Sequence, residues 1–120
     1  MSKEYGQQLI ARSRVFSLDT IRLIGTLASN NISAGAIGRQ LIRSATSIGA
    51  NIVEGQASPT RKDFSLFMRH ALKSANETGY WLSLLRDAKL ADSRMCSKLE
   101  SESIELARIL GASLRTLRSQ

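Results

Sequence analysis

Cysteine, histidine, proline and aromatic side chains are all scarce in this chain, and each scarcity removes a class of protein. Cys96 stands alone, so no intramolecular disulfide can form and no multi-cysteine zinc site can be built. Its pattern position is that of a small apolar helix residue. His70 is the only histidine and lies between Arg69 and Lys73, which rules out paired-histidine metal motifs such as H-E-x-x-H. Carboxylates are few. Glu54 and Glu77 could converge between two helices, but the Glu-x-x-His pairs that complete a two-metal bundle site are missing. Gly35-Ala36-Ile37-Gly38 has neither the spacing nor the strand-to-helix context of a phosphate loop. No catalytic residue, cofactor or metal is therefore expected. No apolar run approaches the roughly 18 residues of a membrane span, and Met1 to Gln8 lacks the apolar centre of a signal peptide. A soluble, cytoplasmic protein is the expectation.

What is present is helix-forming sequence. Leu, Ile, Ala, Ser and Arg dominate, and 120 residues suit one domain, 1–120, around one core. Leu9, Phe16, Leu23 and Leu27, with Ile10, Ile21, Ile24 and Ala28 beside them, predict a first helix over about 3–30 with a broad apolar arc. Arg12, Arg14, Asp19 and Arg22 fill its other face. Asn30 to Ser33 favours a turn, and Ile37, Leu41, Ala45, Ile48 and Ile52 predict a second helix over about 36–56, closed by a left-handed Gly55. Pro59 suits a third helix over about 60–88, capped by Ser58 or by Thr60 with Asp63 three residues on. Phe64, Met68, Ala71, Ala75, Thr78, Leu82 and Leu85 trace its core face. A fourth, over about 93–117, follows a cap at Asp92 or Ser93 and carries Leu99, Leu106, Leu110 and Leu114. Four amphipathic helices joined by short turns predict an all-α, up-down-up-down four-helix bundle.

Two features of the pattern bear on function. Beside the apolar face of the second helix runs a mostly uncharged stripe of Gln40, Ser44, Ser47, Asn51 and Glu54. A water-facing stripe would more often carry Lys and Glu, so hydrogen bonding against a neighbouring helix is expected. Ser74 and Glu77 on the third helix are the natural counterparts, and Gln40, Asn51, Glu54, Ser74 and Glu77 together form a candidate network fixing helix register or a subunit contact. The second feature is the net charge of +7. Arg39, Arg43, Arg61, Lys62, Arg69 and Lys73 form the candidate nucleic-acid-binding patch, with Lys62, Arg69 and Lys73 on one helical face. No aromatic residues interleave with them, so backbone contact is expected rather than base stacking. Arg108, Arg115 and Arg118 gather near the C-terminal end of the fourth helix, where cations suit the helix dipole.

The segments Gln40 to Ala45, Ser47 to Gly55 and Ala71 to Glu77, with Phe64 and Phe67, resemble the four-helix-bundle proteins of the 23S ribosomal RNA intervening-sequence family. The Ser-Ile-x-Ala-Asn-Ile-x-Glu-Gly core over Ser47 to Gly55 is the specific part, and the likeness spans about Gln40 to Leu85. The chain departs from the family pattern at Gly49, where proline is common, and in the short link from Gln56 to Thr60. The resemblance implies a small bacterial protein, some of whose relatives are encoded within large-subunit ribosomal RNA genes, that assembles as a homopentamer with RNA or DNA as partner. A related basic pentamer accompanies a reverse transcriptase, which makes a structural or protein-interaction module the alternative.

Overall fold

The computed structural model describes residues 1–119. Four helices follow one another, α1 (Lys3–Ile24), α2 (Ile32–Gln56), α3 (Arg61–Asp87) and α4 (Ser93–Arg118). Each starts where a side chain replaces a missing backbone partner. Ser2 accepts from Tyr5 N at 3.1 Å, Asn31 from Ala34 N at 2.8 Å, Thr60 from Asp63 N at 3.1 Å and Asp92 from Met95 N at 2.8 Å. Such caps contribute about 1 kcal/mol each. Of the two caps considered for α3, the chain uses Thr60.

Two boundaries and one helix closure differ from those expected. α1 stops at Ile24 rather than near residue 30, because Thr26 N and Leu27 N bond to the carbonyls of Leu23 and Ile24 and close a tight turn. Leu27 still packs against the core from that turn, which is why the apolar period ran on past the helix. α2 begins at Ile32 rather than 36, since Asn31 caps it directly. Gly55 does not close α2 in a left-handed conformation; it lies inside the helix, and Ala57 is the right-handed cap. Its missing side chain serves close approach instead. A Cβ on Gly55 would stand 2.6 Å from Met68 Cε and 3.3 Å from Phe67 Cβ. α2 also runs unbroken through Gly49, where the family's proline is absent and Ser13 Oγ would lie 3.1 Å from an added Cβ.

Successive helices pack antiparallel and α4 returns beside α1, giving an up-down-up-down bundle of 49 × 20 × 20 Å. Its core is continuous. Leu9, Phe16 and Leu23 of α1 meet Leu41, Ile48 and Ile52 of α2, Met68, Leu82 and Leu85 of α3, and Leu106 and Leu110 of α4. Burying each such side chain stabilises by about 1.5–3 kcal/mol before entropy is counted. The α1–α4 contact is the thinnest of the four, and Arg12 clasps it by donating to both carboxylate oxygens of Glu102 at 2.7 and 2.8 Å. That hydrogen bond raises the pKa of the Arg12 guanidinium. Among the described residues no helix is long and apolar enough to cross a membrane.

Candidate nucleic-acid interface and the polar seam

The polar stripe of α2 meets α3 as a ladder of hydroxyls and amides. Thr78 Oγ1 donates to Ser44 Oγ at 2.9 Å, and both residues are fully buried. One turn along, Ser74 Oγ donates to Ser47 Oγ at 3.1 Å, while Asn51 Nδ2 donates to the same oxygen at 3.0 Å and to Ser47 O at 2.8 Å. Toward the other end, Arg43 bridges the two helices. It donates to Gln40 Oε1 at 3.1 Å and pairs with Glu77, whose carboxylate also accepts from Trp81 Nε1 at 3.0 Å. Among the described residues no buried side-chain nitrogen or oxygen is left without a partner. A seam satisfied in this way avoids the cost of about 1–3 kcal/mol that an orphaned buried group carries.

Glu54 does not belong to it. The sequence pattern had it facing protein, but its side chain is exposed and its carboxylate makes no hydrogen bond or ion pair among the described residues. Its helical angle is close to that of Ser47, but at this level α3 packs on α2 through Phe64, Phe67 and Met68, which offer a carboxylate no donor. Ser44 and Thr78 were the reverse case. They form the buried centre of the seam, although the sequence pattern places Ser44 only in the polar stripe and Thr78 only on the core face.

The six candidate cations do not form one patch. Arg39 lines a groove between α1 and α2 with Ile24, Leu27 and Ile42, and Arg43 is engaged with Glu77. Lys62, Arg69 and Lys73 are exposed on the outer face of α3, as their spacing predicted, and Arg61 begins the same helix. Arg69 leans toward α4, where it shares a groove with Arg115 and Arg118. His70 is exposed, with its ring edge-on to Phe67 at 6.4 Å. Among the described residues no three His, Cys, Asp or Glu side chains converge.

The fold is a closed bundle of four helices with a satisfied polar seam between α2 and α3. The chain belongs to the 23S rRNA-intervening sequence protein family, whose sequence model matches residues 7–112. It is also similar in structure to a protein of unknown function from the S23 ribosomal protein family of Bacteroides thetaiotaomicron VPI-5482. The two share 29% identity over 92% of this chain and 97% of the other, with a TM-score of 0.82. No functionally curated protein matches the chain.

Proposed function

We propose that this chain is a non-catalytic, self-associating protein, pentameric as its family resemblance implies, that binds the backbone of RNA or DNA. The observation that carries the reading is how the charges are distributed. Arg12, Arg22, Arg43, Arg86 and Arg108 take up Glu102, Asp19, Glu77, Asp87, Glu100 and Glu105 in ion pairs. Lys62, Arg69 and Lys73 enter no ion pair among the described residues and share the exposed face of α3. With six of its ten carboxylates held in those pairs, the rod offers that face to phosphates, and each contact releases counterions.

A protein-interaction module without nucleic-acid binding, including an accessory partner of a reverse transcriptase, is favoured by a different observation. An apolar strip with exposed Ile21, Ile42 and Val53 runs along the outer side of α1 and α2. Salt-dependent titration separates the two readings. Labelled RNA and duplex DNA should bind with a slope of log Kobs against log[salt] of about −2 or steeper if three phosphates are contacted. Absence of binding at low salt sinks the nucleic-acid reading.

A further inference from the structure

Three arginines line the groove between the first half of α3 and the end of α4. Ser65, Arg69 and Leu72 form one wall, and Gly111, Leu114 and Arg115 the other, with Arg118 at the rim, enclosing about 300 Å³. No carboxylate of the described residues lines it. None of its three arginines enters an ion pair among the described residues, although five arginines elsewhere on the molecule do. Arg69 is oriented by a hydrogen bond from Nη1 to Ser65 Oγ at 2.8 Å. Arg115 folds back over Gly111, where an added Cβ would stand 3.4 Å from its Nη1.

The helix dipole explains part of this arrangement. Arg115 and Arg118 lie in the last turn of α4, where cations are favoured by a few tenths to about 1 kcal/mol. Arg69 sits well inside α3 and gains nothing from that effect. Its approach to the other two concentrates positive charge in one groove, which an anion with several oxygens would relieve. Guanidinium forks match phosphate oxygens in pairs, and the leucines of the groove offer an apolar surface to a sugar.

We propose that the α3–α4 groove seats a backbone phosphate of a nucleic-acid strand, held by Arg69, Arg115 and Arg118. The proposal rests on the nucleic-acid reading above and moves its centre from the exposed face of α3 to the α3–α4 groove. Two triple variants with the same loss of charge test it. Arg69→Gln, Arg115→Gln and Arg118→Gln empty the groove, whereas Arg14→Gln, Arg94→Gln and Lys98→Gln change exposed cations away from it. The probe is a fluorescein-labelled single-stranded RNA of mixed sequence, with circular dichroism confirming that each variant is folded.

The groove variant should bind about tenfold or more weakly at moderate salt and lower the salt slope by about 1–2, while the control loses less than about threefold. Equal losses in the two variants overturn the groove and leave the nucleic-acid reading standing. Failure of the unaltered protein to bind RNA or DNA overturns both. Tighter binding of inorganic phosphate or adenosine monophosphate than of the oligonucleotide, or binding to anionic vesicles alone, also overturns the assignment.

Discussion

Lys89 carries a backbone strain that no other described residue shares. Its φ is 60°, in the left-handed region, and it stands just past the end of α3. There Leu90 N donates to Leu85 O at 2.9 Å and Lys89 N to Arg86 O at 3.0 Å, the paired bonds that close a helix through a left-handed residue. Glycine is the usual occupant, and an L side chain costs roughly 1–2 kcal/mol in that region. Lys89→Gly should therefore raise stability by about 0.5–1 kcal/mol after the added freedom of the unfolded glycine is counted, read as a higher urea midpoint with unchanged slope. Cys96 gives a second prediction at this scale. Burial pushes its thiol up from the ordinary 9.0. Above about pH 9 the unfolded chain loses a proton that the folded chain keeps, so the contribution of Cys96 to stability is complete below that pH and falls as pH rises through the raised value. The stability difference between wild type and Cys96→Ala should stay level up to about pH 8.5 and then move against the wild type. A difference that stays level through about pH 10 would mean the thiol is not kept neutral.

At the scale of helices, what the sequence revealed and what it hid have different physical origins. The apolar faces of all four were legible because 3.6-residue periodicity is written into the chain, and the caps at Thr60 and Asp92 are among the residues whose side-chain chemistry suits a helix start. The end of α1 was not legible, because Leu27 satisfies the apolar pattern from a turn. The companions of Arg69 were not legible either. Their approach depends on the register of α3 against α4, which no single-helix pattern encodes. The same is true of the α1–α4 clasp. Arg12 and Glu102 are ninety residues apart and their side chains are 43% and 30% exposed, so the geometry is good while solvent screening is strong. A double-mutant cycle with Arg12→Ala and Glu102→Ala should give a coupling of about 0.5–1 kcal/mol that shrinks in high salt. A salt-independent coupling would point to apolar contact of the Arg12 stem instead.

Taken as a whole molecule, the rod mixes cations and exposed apolar residues on every helix, including Tyr80 on α3 and Ile104 on α4. Arg69, Arg115 and Arg118 line the α3–α4 groove on the first side, and on the second α1 and α2 expose Ile21 at 44%, Ile42 at 38% and Val53 at 47% beside shallow grooves lined by Ile10, Gly49 and Ala50 together with Arg14 and Arg39. Self-association through the second side would leave the first open. Light scattering after size exclusion should then give five times the 13.2 kDa chain mass, and Ile42→Glu with Val53→Glu should reduce it to one while the circular dichroism spectrum is retained. A wild-type protein already at the single-chain mass would remove the pentamer from the reading.

The seam between α2 and α3 has a further consequence, in the order of folding events. These two helices are joined by a link from Ala57 to Thr60 and matched by the Ser44–Thr78 and Ser47–Ser74 hydroxyl pairs, so their hairpin closes a short loop into a chemically specified register. α1 reaches α4 only after nearly the whole chain has been arranged. The hairpin is thus expected to form the nucleus, with the α1–α4 seam closing after the rate-limiting barrier. In chevron measurements Thr78→Val should slow folding, whereas Glu102→Ala should chiefly speed unfolding.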